Sequence, residues 1–365
     1  MARRDKTLSR RELPLACKTT MLPMQVARRG AAWQVSVKLK DRFSVRLLPA
    51  HEALEEATRT LASGGLVAIP TETVYGLAAD ASDGAAVARI FEAKGRPRFN
   101  PLIAHAGDMA MAERLATFNP LARQLAARFW PGPLTMVLPR REGSPVHAPV
   151  HALVSAGLDT IAVRMPAGFG GELARRFGRP LAAPSANSSG KISATSATQV
   201  ARDLGAKVDL IVDGGRTPVG VESTIVKIDG DEIILLRPGG VSVEELEQAT
   251  GKKVLRPKAH KVEAPGMLLS HYAPNAAVRL NVNDVRPGEA LLAFGPARAS
   301  GAERAASMLN LSPSGDLREA AANLFDYMQQ LDATGAATIA VEPVPADGLG
   351  EAINDRLARA AADRS

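Results

Sequence analysis

Apolar runs of strand length recur along this chain with amphipathic segments of helix length between them, and that alternation constrains the fold before any other feature does. Leu66–Ile69, Leu102–His105, Leu134–Leu138, Thr160–Arg164, Leu181–Ala183 and Leu210–Val212 read as strands. His51–Ser63, Ala85–Ala93, Leu121–Phe129, Glu172–Phe177 and Ser196–Leu204 read as helices, the first closed by Gly64-Gly65. A hairpin, Thr224–Ile228 and Glu232–Arg237, turns at Asp229-Gly230-Asp231. Ser242 and Glu245 form a capping box for a helix over Val243–Ala249. Helix-linked strands with a hairpin predict an α/β architecture whose mixed, twisted sheet carries helices packed on it.

A length of 365 residues suggests two domains. Residues 251–275, rich in Lys, Pro and His, read as a linker. Beyond it, Ala277–Leu280, Ala290–Phe294 and Thr338–Val341 are strand-like, and Leu317–Leu331 and Glu351–Ala361 helical, which makes a second, smaller α/β domain over 276–365. The main body is then 45–250.

The net charge of +7 suggests nucleic acid until it is divided along the chain. Residues 1–50 hold 12 basic and 3 acidic side chains, whereas residues 51–365 hold 33 and 35. The basicity belongs to a leader, about 1–44, which is expected to be disordered or to precede the true start at Met21 or Met24. Within it Trp33, Val35, Val37 and Leu39 alternate with polar residues like a short strand. One cysteine, Cys17, excludes an internal disulfide framework and a Cys-based zinc site. The longest apolar runs, such as Ile233–Leu236, are far below the ~20 residues of a membrane span. A cytoplasmic protein without a membrane partner is expected.

The chemistry concentrates in loops next to strands, where open α/β sheets bind ligands. Lys94-Gly-Arg96-Pro-Arg98-Phe-Asn100-Pro101 fixes three cations on a Gly- and Pro-shaped backbone, an arrangement suited to phosphate oxygens or to a solvated turn. Pro184-Ser185-Ala-Asn187-Ser-Ser189-Gly-Lys191-Ile-Ser193 offers hydroxyls, amides and backbone N–H groups to an anion, or caps the next helix. It is not a P-loop, because the required first Gly is Ser185. Gly168-Phe-Gly170-Gly171 lacks the full dinucleotide fingerprint and reads as a turn. His147 and His151 have metal-pair spacing, but Pro145 and Pro149 argue against the helix that spacing needs. Glu222-Ser223-Thr224 is polar sequence entering an apolar strand. No serine-hydrolase, metalloprotease or kinase signature is present.

Taken in order, Pro70-Thr-Glu-Thr-Val-Tyr-Gly-Leu77, Lys94-Gly-Arg-Pro with Asn100-Pro-Leu102, Trp130-Pro-Gly-Pro-Leu-Thr135, Ala162-Val-Arg-Met-Pro166, Ala183-Pro-Ser-Ala-Asn187 and Glu222-Ser-Thr224 resemble the YrdC-like family. Ala264-Pro-Gly-Met267 and His271-Tyr-Ala-Pro274, with the small second domain, resemble its two-domain form, the L-threonylcarbamoyladenylate synthases. The resemblance spans about residues 45–365. It implies a YrdC-like catalytic domain and a Rossmann-like C-terminal domain. It also implies an ATP-dependent reaction of L-threonine and bicarbonate giving threonylcarbamoyl-AMP, with Mg2+ accompanying ATP. Downstream transfer proteins then modify tRNA; a direct tRNA contact is left open.

By motif match, Lys94, Arg96, Ser185 and Asn187 correspond to the family's catalytic tetrad. Nucleotide contacts carry over to Arg96, Asn100, Thr160, Ala183, Ser185, Ser193, Arg237 and Tyr272, and threonine contacts to Thr73, His105, Arg164 and Ser223. Linker residue Tyr272 is read as part of a lid. No metal ligand is assigned. The leader has no counterpart in the family pattern, and Leu268-Leu269-Ser270 departs from it. An RNA-binding module is the alternative, weakened by the balanced charge of the body. Carbamoyl transfer of the hydrogenase-maturation type would need zinc-finger cysteines that this chain lacks.

Overall fold

The computed structural model describes residues 24–29, 32–37, 46–97, 99–141, 150–257, 264–265 and 271–362. They fall into two compact units, Met1–Ser44 and Val45–Ser365. In the first, β1 (Met24–Arg29) and β2 (Ala32–Val37) pair antiparallel with Val26 opposite Val35. Cys17, Leu39, Arg98, His147 and Leu268–Ser270 lie outside the described residues.

In the second unit, eleven strands form one mixed sheet. They are β3 (Leu47–Pro49), β4 (Val67–Ile69), β5 (Gly76–Asp80), β6 (Ile103–His105), β7 (Leu134–Pro139), β8 (Thr160–Arg164), β9 (Leu181–Ala182), β10 (Leu210–Asp213), β11 (Thr224–Asp229), β12 (Glu232–Arg237) and β13 (Val254–Leu255). Their order is β13-β12-β11-β7-β8-β6-β9-β5-β4-β10-β3. Helices α1 (Ala50–Ala62), α2 (Gly84–Lys94), α3 (Met109–Leu115), α4 (Pro120–Phe129), α5 (Ala152–Ser155), α6 (Phe169–Phe177), α7 (Ala197–Asp203) and α8 (Val243–Thr250) connect them. The capping box holds: Ser242 accepts from the Glu245 N–H and the Glu245 carboxylate from the Ser242 N–H.

A smaller parallel sheet follows, ordered β14 (Ala277–Arg279), β17 (Thr338–Val341), β15 (Ala290–Ala293) and β16 (Ser307–Asn310), with α9 (Leu317–Asp332) and α10 (Leu349–Ala361). Parallel strands joined by helices are the expected Rossmann-like arrangement.

The sequence pattern did not reveal β3, β5, β13, β16, α3 or α5, and two differences from expectation are instructive. Gly168-Phe-Gly170-Gly171 is not merely a turn: Gly168 takes a left-handed φ of 68° and α6 starts at Phe169. A side chain at Gly171 would meet the Pro166 carbonyl oxygen, so glycine lets the helix start against the preceding strand's exit. The second difference is β5, which lies inside the sheet although Gly-Leu-Ala-Ala-Asp has no β-branched residue.

The smaller sheet has one cluster of its own, Val282, Val285, Leu291, Ala293 and Ala340, and shares a larger one with the main body. Val74, Ile192, Val221 and Tyr272, outside its strands and helices, are buried together with Leu324, Phe325, Met328 and Ile353 of α9 and α10. Gly220 makes this approach feasible. Its Cβ would lie 2.2 Å from the Ala321 carbonyl oxygen, so only glycine lets the Val219–Ser223 loop touch the α9 backbone.

Candidate active site

The strand ends carry the site. In the parallel pair β6/β8, His105 is the register partner of Arg164, so both sit side by side at the C-terminal ends of their strands. Arg237 ends β12 beside the start of β11. Helix α2 is capped by Asp83 and ended by Gly95 in the left-handed conformation, which reverses the chain between Lys94 and Arg96. Lys94 lies on the same helix face as Val87, Ile90 and Phe91 and is buried with them.

These elements enclose a tight hollow of about 40 Å³, lined among others by Thr73, Arg96, His105, Arg164, Ala183, Ser185, Ser223, Arg237, His271 and Tyr272. That is room for a few water molecules. Nine of the fourteen residues singled out from sequence therefore meet at one place. A wider, open groove of about 900 Å³ along α7 and α9 holds none of them.

The other five stand behind the lining or away from it. Lys94 donates to the Ser185 carbonyl at 2.6 Å and to the Asn187 carbonyl. Asn187 uses its amide to hold the Ser188 and Lys191 carbonyls at 2.8 and 2.9 Å, which shapes its loop. Asn100 offers its carbonyl to Arg96 Nε at 3.3 Å. The Ser193 hydroxyl donates to Glu222. Thr160 is not brought to the hollow: it opens β8, and Arg164 at the far end of that strand is the residue that lines it. At ~3.3 Å per residue the two are about 13 Å apart.

Charge is unevenly balanced. Arg164 pairs with Glu72 at 2.8 Å and donates to Thr73 Oγ1 at 2.9 Å. Arg96 donates to the Pro101 carbonyl at 2.9 Å, and Arg237 to the Ser223 carbonyl at 2.8 Å and the Pro265 carbonyl at 3.3 Å. Among the described residues neither these two nor Lys94 forms an ion pair with a carboxylate. Three cations thus face the hollow or back it with neutral acceptors only, which leaves positive potential for an anion.

The protonation behaviour follows from burial. Burial first, then Arg96, pulls the Lys94 ammonium down to about 7. Arg96 is lowered to about 10 by burial and by Arg237, with Tyr272 opposing. Burial, then Arg164, holds His105 well below its usual value, so the imidazole is neutral. Neither His105 ring nitrogen has a hydrogen-bond partner, which leaves one donor and one acceptor for a ligand. His271 is lowered to about 3, again mainly by burial, with Lys94, Arg96 and Arg237 adding to the effect and Glu222 opposing it.

Sequence reading assigned no site role to Thr71, Glu72 and Arg356, and placed Glu222 only in a polar stretch that could touch a ligand. Glu72 pairs with Arg164, and Thr71 Oγ1 lies 2.9 Å from Thr73 Oγ1. Glu222 lines the hollow and pairs with Arg356 of α10 at 2.9 Å. The signal for Arg356 was present: it falls on the apolar stripe Ala352, Ile353, Leu357, Ala360, where an arginine has no business unless paired. Tyr272 has a left-handed φ of 63° and stacks on Phe325 at 5.5 Å, with the Arg356 guanidinium 5.2 Å from its ring centre.

Among the described residues no group of three or more His, Cys, Asp or Glu converges as a metal-binding set. No helix among them is long and apolar enough to cross a membrane.

Residues 59–239 match the family described as "Telomere recombination", and residues 241–362 match "Threonylcarbamoyl-AMP synthase, C-terminal domain". The curated threonylcarbamoyl-AMP synthase of Pyrococcus abyssi is 41% identical over 345 residues, 87% of this chain and 98% of its own. That of Bacillus subtilis is 38% identical over 328 residues, 85% of this chain and 93% of its own. The crystal structure of P. abyssi Sua5 complexed with L-threonine superposes with a TM-score of 0.77 at 39% identity, over 87% of this chain and 97% of that one.

Proposed function

Because this chain belongs to the threonylcarbamoyl-AMP synthase family, we propose that its hollow joins L-threonine, bicarbonate and ATP into threonylcarbamoyl-AMP, releasing pyrophosphate and water, for tRNA modification. The observation that carries this reading is the convergence of Arg96, Arg164 and Arg237, with Lys94 behind them, around a neutral imidazole in one small hollow.

The reaction asks for such a place. The threonine amine takes up CO2 or bicarbonate to give a carbamate, and a carbamate oxygen attacks the α-phosphorus of ATP as the bond to pyrophosphate breaks. Two anions must approach each other, and charge grows on the leaving group. Fixed cations stabilise both without forming a covalent bond to substrate. Arg96 and Arg237 are suited to the triphosphate, and Lys94 orders Ser185 and Asn187 around it. Arg164, already oriented by Glu72 and Thr73, is suited to grip the threonine carboxylate through two N–H groups. His105 presents the polar atoms that the threonine hydroxyl needs, and valine would leave them unpaired. Ser223 is held by Arg237 and by Thr135 Oγ1 at 2.8 Å, at the junction of the two halves of the site.

Magnesium would be held through the phosphates of ATP, since the described residues offer no carboxylate cage. The hollow of about 40 Å³ is small for ATP and threonine together, and we assign His271 and Tyr272, which line it from the linker, to a lid that moves as substrates bind. We assign residues 45–250 as the catalytic body, 251–275 as the linker that supplies this lid, and 276–365 as the domain against which it packs.

The test is direct. Purified protein is incubated with ATP, magnesium, bicarbonate and L-threonine, pyrophosphate is measured and the adenylate sought by mass spectrometry. Formation that requires both threonine and bicarbonate supports the reading; no adenylate from folded, ATP-binding protein refutes it.

A further inference from the structure

Glu222 is an awkward residue for an anion site. Its carboxylate lines the hollow at 5% exposure, beside the cations that would bind phosphate. Burial pushes the carboxyl up, but Arg356, Arg237 and the Ser193 hydroxyl together overcome this and hold it below its usual range, so it is ionised. Left alone, such a charge would repel phosphate or draw Arg237 to itself.

The answer comes from the other domain. Arg356 of α10 is 0% exposed, and each part of its guanidinium is used. Nε donates to Glu222 Oε2 at 2.9 Å, Nη2 to the Pro238 carbonyl at 2.9 Å, and Nη1 to Asp355 Oδ2 at 2.6 Å. Its carbon lies 5.2 Å from the centre of the Tyr272 ring, so one group touches the acid of the site, the loop after β12 and the lid tyrosine. A buried arginine with such partners is costly to desolvate and adds little stability that apolar packing could not supply. Its use is electrostatic.

We propose that Arg356 is a positioning residue: as the counter-ion of Glu222 it keeps that carboxylate from cancelling Arg96 and Arg237, so the C-terminal domain sets the charge that ATP meets. This rests on the hollow being the ATP site and adds to that reading a specific dependence on α10.

The experiment measures ATP binding calorimetrically on the full chain, with thermal melts and turnover in parallel. Arg356→Met should weaken ATP binding by about tenfold to a hundredfold, the scale of one unbalanced charge a few ångströms from a bound phosphate. The double variant Glu222→Gln with Arg356→Met, which removes both charges, should return to within about threefold of the parent even if it melts lower. Arg356→Lys keeps the charge and not the fork, and should bind ATP nearly as the parent does; it carries the test if Arg356→Met does not fold. Unchanged affinity in Arg356→Met overturns the inference, as does a double variant as weak as the single one, or an Arg356→Lys protein that folds and binds tenfold more weakly. A parent protein that binds ATP and makes no adenylate refutes the proposed reaction instead, while the variants still report on the ion pair.

Discussion

Gly220→Ala tests how closely the pocket depends on the C-terminal domain. The residue has φ +77°, and a methyl group there would lie 2.2 Å from the Ala321 carbonyl oxygen and 2.4 Å from Ala322 Cα, backbone atoms of α9 that have no rotamer to escape into. A left-handed backbone costs an alanine about 1–2 kcal/mol. Forcing a methyl into a close-packed contact costs about 1–3 kcal/mol more, which gives a total of about 2–5 kcal/mol. For a unit of this size that lowers the melting temperature by about 3–7 °C. The loop cannot yield without consequence, because Val219 N–H donates to the Glu72 carbonyl at 2.9 Å and Gly220 N–H to the Thr73 carbonyl at 3.1 Å. Glu72 and Thr73 orient Arg164, and Glu222 and Ser223 of the same loop hold Arg356 and Arg237, so the threonine KM should rise severalfold and ATP binding should weaken with it. Gly230→Ala is the control: φ is +55° but no atom lies within 4 Å of the added methyl, so only the backbone cost is felt and kinetics stay as in the parent. Thermal unfolding and steady-state kinetics of both variants decide the matter. A Gly220→Ala protein that melts within about 1 °C of the parent with the same threonine KM would show that α9 does not bear on the loop as described.

Other outcomes follow from the pocket itself. Arg164→Lys keeps the charge and loses the two-pronged grip, so the threonine KM should rise about tenfold while the ATP KM stays put; a larger effect on ATP would reassign Arg164. His105→Leu should cut the preference for threonine over valine by about tenfold, measured as the ratio of kcat/KM values, and an unchanged ratio would remove His105 from hydroxyl recognition. His271 takes its proton near 6.5 when unfolded but only at about 3 when folded. The unfolded state therefore binds the extra proton between these values, and stability present above pH 6.5 is lost as pH falls, at about 1.4 kcal/mol per unit. His271→Gln should lose less melting temperature than the parent between pH 7 and pH 5; equal losses would contradict the burial of that imidazole.

Most of the architecture was legible because apolar periodicity and caps agree with the tertiary fold. Thr160–Arg164 and Thr338–Val341 are strands at the residues read from pattern, and the Ser242 capping box starts α8 as expected. What escaped lacked a local signal. In β5 the alanines fit because both faces are covered, a fact of packing that no propensity carries. The cations Lys94 and Arg96 were legible as a cluster; Arg356 was legible only as a charge on an apolar stripe, and its partner Glu222, 134 positions away in the chain, was not. Thr160 shows the converse: a motif match carries residue identity, whereas the strand it opens carries it away from the hollow that Arg164 lines.

The setting of Tyr272 implies a resting population. Its ring is buried between Phe325 and the Arg356 guanidinium, and if the linker is the lid proposed above, admitting substrates draws it out of that slot. Exposing a large buried side chain costs about 1.5–3 kcal/mol, which leaves the receptive form as roughly one molecule in ten to one in two hundred. Measured affinities are then weaker than the intrinsic ones by that same fraction. A substitution that loosens Tyr272 without touching substrate, such as Phe325→Leu, would tighten apparent binding and at the same time leave the adenylate more open to hydrolysis. Affinity and retention of the product are set against each other by a single aromatic ring.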